Sequence, residues 1–214
     1  ASITHEWQVV DDIRDHMLYF LENHDEQRIA SDFFCGDAHK AIPAAAMSLF
    51  FQKNPFMLYS GQEFGERGMD KEGFSGRDGR TTIFDYWSPD TLAHAYQKPG
   101  SAEEHLQSVD SKVLAAQYRQ LIRLANEERA IREGDTFDLM YVNPQSDHFD
   151  PRSHFVFLRK KGGEVMLIVL NFSQEARELG VCIPGHAFDF FHLAEEEVQA
   201  TELMSGDKKK VELK

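Results

Sequence analysis

Met17-Leu18-Tyr19-Phe20-Leu21, followed at once by Glu22-Asn23-His24-Asp25-Glu26-Gln27-Arg28, decides how this chain is read. The apolar run is too short for a helix and lacks the alternation of a half-buried strand. It fits a strand covered on both faces, as in a parallel sheet. Upstream, Ile3, Trp7, Val10, Ile13 and Met17 recur at steps of three and four, the period of an amphipathic helix. Downstream the unit repeats. Pro43-Ala44-Ala45-Ala46-Met47-Ser48-Leu49-Phe50-Phe51 predicts a helix with its proline in the first turn, Asn54-Pro55 ends it, and Phe56-Met57-Leu58-Tyr59 predicts a second short strand running into Ser60-Gly61-Gln62-Glu63. Helix, strand, polar loop, twice over, is the grammar of α/β architecture, in which ligands sit beyond the carboxyl ends of the strands. Both polar clusters fall there.

Residues 64–107 are charged and carry Gly65, Gly68, Gly73, Gly76 and Gly79. A connection of that length is usually functional or disordered. Val113, Leu114, Gln117, Tyr118, Leu121, Ile122 and Ala125 then mark a helix from Ser108 to Glu128. From Ile131 the period becomes two. His154–Leu158 and Glu164–Leu170 flank the turn Lys161-Gly162-Gly163 as a hairpin, and strand-like pieces follow at Leu179–Ile183, Val198–Met204 and Val211–Leu213. Short strands with frequent turns predict a small antiparallel sandwich. The domain boundary is placed near Arg129-Ala130.

Composition narrows the function. In 214 residues, 36 Asp and Glu against 23 Lys and Arg leave a net charge of −13, a surface that repels phosphate backbones and anionic lipid. Neither nucleic acid nor a membrane is expected as a partner, and no apolar run approaches the ~20 residues of a membrane span. Hydrophobic content of 42% with 17 Phe suffices for a core and argues against wholesale disorder. Cys35 and Cys182 stand outside any zinc or redox spacing and are expected as free, buried thiols, which leave the compartment undecided. The opening Ala1-Ser2-Ile3 has no initiator Met and no signal-peptide pattern, as if cut from something longer.

Phe20-Leu21-Glu22-Asn23-His24-Asp25-Glu26-Gln27-Arg28 resembles the end of the seventh barrel strand in the α-amylase family of glycoside hydrolases, where an Asn-His-Asp triplet closes the strand. Pro55 through Gly65, with Gly61-Gln62-Glu63, is similar to the family's eighth strand and its loop. The helix ending Leu121-Ile122-Arg123-Leu124-Ala125-Asn126-Glu127-Glu128 resembles its last barrel helix, and the hairpin beyond resembles its C-terminal β domain. The resemblance implies a fold of α/β plus all-β type. Residues 1–130 would be the last part of a (β/α)8 TIM barrel, a barrel remnant, and residues 131–214 an antiparallel β-sandwich domain.

The resemblance also implies roles. Asp25 matches the family's transition-state stabiliser and His24 the histidine that hydrogen-bonds the same sugar ring, with Asn23 bracing the pair and Arg28 a further substrate contact. An anionic acceptor and an imidazole donor suit an oxocarbenium-like transition state, whose bonds to ring hydroxyls tighten as it forms. Gln62 and Glu63 would line the rim. The family's nucleophile motif Gly-Phe-Arg-x-Asp and its acid/base Glu motif do not occur in these 214 residues. The chain therefore resembles the C-terminal portion of a retaining α-glucan hydrolase or transglycosylase, expected to be inactive alone, to meet α-glucan or maltooligosaccharide in the parent enzyme, to use no cofactor or metal, and to self-associate through exposed strands.

Blander readings compete. His24-Asp25 is also compatible with a structural pair at a strand end, and Arg28 with a loop ion pair. A non-catalytic carbohydrate-binding or assembly module is a second functional class. A metal phosphohydrolase using His24, Asp25, Asp37 and His39 is a third, opposed by the β-type runs on either side. Asp70, Asp78, Asp85 and Asp90 lack calcium-loop spacing and suit a hydrated loop. Phe74, Phe84, Tyr86 and Trp87 suit either sugar stacking or core packing, and Lys208-Lys209-Lys210 a solvated turn tip.

Overall fold

The computed structural model describes residues 5, 8–10, 12–68, 78–81, 89–96, 99–100, 102–106, 108–145 and 148–213. Ile3 and Trp7 of the expected first helix, Gly73 and Gly76, Asp70 and Asp85, the aromatic residues 74, 84, 86 and 87, and the Asp90 side chain lie outside the described residues.

Strand β1 (Tyr19–Phe20) pairs in parallel with β2 (Phe56–Met57), Tyr19 opposite Phe56 and Phe20 opposite Met57. Helix α1 (Ile42–Phe50) makes the crossover, with Pro43 in its first turn and Ala45, Ala46, Met47 and Phe50 buried. This is the expected β-α-β unit, in shorter strands. Both-face burial does not follow, because among the described residues the sheet has two strands. Leu18 and Phe20 are 50% and 42% exposed. Ahead of β1, His5, Gln8 and Val9 are helical, as the sequence period predicts, and a 3-10 turn follows at Arg14–His16, with Ile13 exposed.

Short helices α2 (Asp90–Ala95) and α3 (Ala102–His105) precede α4 (Val109–Glu127). The Ser108 hydroxyl caps α4 by accepting from Ser111 N at 2.9 Å. Leu114, Ala115, Tyr118, Leu121 and Leu124, at helical spacing, form its buried stripe. No helix among the described residues is long and apolar enough to cross a membrane.

After α5 (Arg129–Glu133), strands β3 (Asp135–Asp138), β4 (His154–Lys161) and β5 (Glu164–Asn171) form an antiparallel sheet in that order. β4 is central and buried from His154 to Arg159. The β4–β5 hairpin stands as expected, turning at Gly162-Gly163.

The rest corrects the sequence reading. Residues 179–183 form no strand, because the Asn143 side chain takes both backbone groups of Cys182: its Oδ1 accepts Cys182 N at 2.8 Å and its Nδ2 donates to Cys182 O at 3.1 Å. Pro184 is the N-cap of helix α6 (Gly185–Phe191) and not a turn between strands. Strand β6 (Glu197–Thr201) pairs with β7 (Lys208–Glu212), so Lys208–Lys210 are strand residues. The turn falls instead around Gly206, whose φ of +84° suits the missing side chain.

This two-stranded ribbon is almost wholly exposed, so among the described residues neither a β-sandwich nor a closed barrel appears. One apolar cluster joins Ala45, Phe50 and Phe51 around α1, Tyr118 and Leu121 of α4, and Ile131, Phe157, Ile168 and Phe191. It spans both sides of Arg129-Ala130. Arg159 adds a polar bolt across the same line. Fully buried, it donates to Phe51 O at 2.9 Å, Ala130 O at 3.0 Å, Thr136 Oγ1 at 2.6 Å and Ile131 O, and burial brings its pKa down to about 10. Both cysteines are free, but neither is buried: Cys35 is intermediate and Cys182 exposed, the latter in the strandless surface stretch.

Candidate active-site turn at the end of strand β1

The chain leaves β1 at Phe20 and folds back on itself through residue 31. Glu22 anchors the fold-back. Its buried carboxylate accepts from Ile29 N at 2.8 Å and from Arg28 Nη1 at 2.9 Å, closing the turn at its base. Within the turn, Asn23 Oδ1 accepts from Asp25 N at 2.8 Å and Glu26 N at 2.9 Å, an Asx turn that leaves His24 and Asp25 at the apex. His24 Nε2 lies 3.5 Å from Asp25 Oδ2, with side-chain exposures of 45% and 61%. The turn thus presents an imidazole and a carboxylate to solvent at the carboxyl end of a parallel strand, and Asn23 braces them through the backbone.

Arg28 takes the place of the ion-paired loop residue that the sequence also allows. It is 1% exposed, ion-paired with Glu22, and donates to Ser60 O at 2.9 Å and Thr81 Oγ1 at 3.0 Å, with its guanidinium 4.3 Å above the centre of the Tyr59 ring. Its planar fork suits several acceptors at once, so it serves as the knot joining the ends of β1 and β2.

Gln62 is likewise not on the rim. It is buried, with Nε2 donating to the Tyr118 hydroxyl at 2.8 Å, which ties the second loop to α4. Glu63 is partly buried and accepts Gly61 N at 3.1 Å. Its pKa is pushed up, chiefly by burial, with hydrogen bonds from backbone N–H groups and the Arg28 charge opposing. Burial also raises Glu22 against the pull of Arg28, and raises the Tyr59 hydroxyl, with Arg28 opposing and Glu22 and Asp25 adding to the rise.

Sequence reading missed Glu22, Tyr59, Arg80 and Thr81. Glu22 and Arg28, six residues apart around a turn and opposite in charge, were a usable signal. The others meet the turn from more than thirty residues away in the chain and left none.

The metal-ligand set does not assemble. Asp37 Oδ1 caps His39 N at 2.9 Å, and the His39 ring lies between Gln117 Oε1 at 2.9 Å and Asp110 Oδ1 at 3.0 Å, on the α4 side. Among the described residues no group of three or more His, Cys, Asp or Glu is placed to hold a metal.

A parallel β-α-β unit with a His-Asp apex at its carboxyl end, continued into an antiparallel sheet, is a mixed α/β arrangement known from solved structures. The chain resembles part of the maltogenic α-amylase AmyB from Thermotoga neapolitana, with 18% identity and a TM-score of 0.55 over 98% of this chain and 41% of that one. It also resembles AmyP, solved with maltose, at 14% identity and a TM-score of 0.61 over 97% and 40%. An α-amylase from Anoxybacillus matches at 16% identity and 0.59 over 97% and 37%. The chain spans about two fifths of these structures. At such identities the likeness is one of fold: nearly all of the chain is folded like part of these α-amylase structures. No protein-family model and no curated protein matches the sequence.

Proposed function

We propose that this chain is the C-terminal portion of a retaining glycoside hydrolase or transglycosylase acting on α-glucans, comprising the end of a (β/α)8 barrel up to about residue 130 and a C-terminal β domain beyond it. Asp25 accepts hydrogen bonds from the hydroxyls of the sugar at the scissile bond, and His24 donates to the same ring. The observation that carries this reading is the exposed His24-Asp25 pair, held on an Asx turn beyond a parallel strand, in a chain folded like part of an α-amylase.

The chemistry follows from charge. As the glycosidic bond stretches, the ring gains positive character and its hydroxyls become better donors, so an acceptor carboxylate binds the transition state more tightly than the ground state. The two carboxyl groups that attack and protonate must flank the bond ~5 Å apart in a retaining enzyme. Asp25 is the third, supporting carboxylate, and the other two belong to sequence outside these 214 residues.

The test is kinetic. In the full-length protein, assayed on maltooligosaccharide and starch, Asp25→Asn is expected to lower kcat on the order of 10²-fold while KM changes little. Near wild-type kcat removes Asp25 from the mechanism. A second reading, a non-catalytic carbohydrate-binding module, has one observation of its own. Tyr141 and Phe190, 52% and 55% exposed, flank the Phe137 ring at 6.4 and 5.6 Å, and sugars stack on such faces. Maltoheptaose binding lost in Tyr141→Ala and Phe190→Ala but kept in Asp25→Asn selects that reading.

A further inference from the structure

Segment 78–81 lies across the His24-Asp25 turn and is bound to it at four points. Arg80 Nε donates to Asp25 O at 2.7 Å, Gln27 Nε2 to Asp78 O at 3.1 Å, Arg28 N to Gly79 O at 2.8 Å, and Arg28 Nε to Thr81 Oγ1 at 3.0 Å. From the β2 side the Tyr59 hydroxyl donates to Thr81 O at 3.3 Å. The segment is itself shaped for close approach. Gly79 has φ +80°, and a Cβ there would stand 2.0 Å from Ser31 Oγ. The guanidinium of Arg80 is held from its own side by Asp78, whose Oδ2 accepts from Nη1 at 2.7 Å and whose Oδ1 accepts from Arg80 N at 3.1 Å.

The consequence falls on Asp25. Its amide hydrogen is bound by Asn23 Oδ1 and its carbonyl by Arg80, so the peptide planes on both sides of its Cα are pinned. Two side-chain torsions are then all that separates the carboxylate from a fixed direction. A charged group whose position is settled before the ligand arrives spends less binding energy on ordering.

We propose that Arg80, set by Asp78, is a positioning residue for the sugar-binding turn: it orients the Asp25 carboxylate through the Asp25 backbone carbonyl without touching the sugar. The proposal rests on the reading of Asp25 and His24 as sugar ligands, and its test separates the two. Arg80→Ala and Arg80→Lys are compared with wild type by amide hydrogen exchange on the 214-residue chain and by steady-state kinetics on the full-length protein with maltoheptaose.

Arg80→Ala is expected to lose protection at least about tenfold at Asp25, Glu26 and Arg28, with Leu121 and Ile131 unchanged, and to lower kcat with little change in KM. Arg80→Lys, which keeps the charge on Asp78 but not the planar fork, is expected to recover part of both. Unchanged exchange at residues 25–28 overturns the tie. Loss of protection across the core overturns it too, since Arg80 would then serve the stability of the whole chain. If exchange responds as expected but Asp25→Asn keeps wild-type kcat, the sugar role given to Arg80 falls with that of Asp25, while the tie itself stands.

Discussion

The Glu22 carboxylate and the Arg28 guanidinium meet at 2.9 Å with side-chain exposures of 2% and 1%, directly beneath the turn that carries His24 and Asp25. Two buried opposite charges attract strongly, yet each has lost its water, so the pair adds little net stability while either partner alone is costly. Burial outweighs Arg28 in setting the Glu22 pKa, which is why that pKa rises despite the ion pair. Arg28→Met is therefore expected to destabilise the chain by about 3–5 kcal/mol. The double variant Glu22→Leu/Arg28→Met should cost clearly less than the two single changes summed. Urea unfolding of all four proteins checks this, and additive losses would show that the two charges do not support each other.

Glu63 predicts a pH dependence. Its folded pKa lies above the ordinary 4.5 because burial disfavours the charged form. The native state then holds its proton to higher pH than the unfolded state does, so Glu63 costs stability above its folded pKa. That cost fades as the pH falls towards 4.5. Glu63→Gln removes the titration and can still accept from Gly61 N. The variant's stability relative to wild type is expected to be greatest near about pH 7 and to shrink by about pH 5. A difference that is flat or grows on acidification contradicts the assignment.

Gly134 sits where α5 meets β4. A Cβ there would lie 2.1 Å from Ala130 O and 2.6 Å from Lys160 O, both backbone atoms that cannot swing aside. Gly134→Ala should cost about 2 kcal/mol or more in thermal or urea unfolding. At Gly163 a Cβ meets nothing within 4 Å, so Gly163→Ala should stay within about 0.5 kcal/mol of wild type. Equal effects at the two positions would mean that the α5–β4 contact is looser than described.

The isolated 214-residue chain is expected to turn over no maltooligosaccharide, since removing catalytic groups that act as a unit abolishes nearly all rate enhancement. It is also expected to self-associate. Among the described residues β1 and β2 form a sheet of two strands, and the apolar Leu18, Phe20, Phe33 and Phe34 are 42–62% exposed. Starch and maltooligosaccharide assays and light scattering at micromolar concentration decide both points. Turnover that Asp25→Asn abolishes, or a strictly monomeric particle, would each refute its half.

Local pattern by itself determined a good deal of this protein. The β-α-β unit, the helix at Val109–Glu127, the β4–β5 hairpin and the His24-Asp25 apex at a strand's carboxyl end were all legible, because period and capping act over a few residues. Tertiary structure decided what depends on distant partners. Asn143 meets Cys182 and denies residues 179–183 a strand. Arg159, at the junction of an apolar run and two lysines, reads as an ordinary strand-end residue until Phe51, Ala130, Ile131 and Thr136 converge on it. Arg28 becomes a buried knot and Arg80 a tie to Asp25 for the same reason. A side chain's hydrogen-bond partners are chosen by which backbone groups the completed fold strips of water nearby, and no short window of sequence contains them.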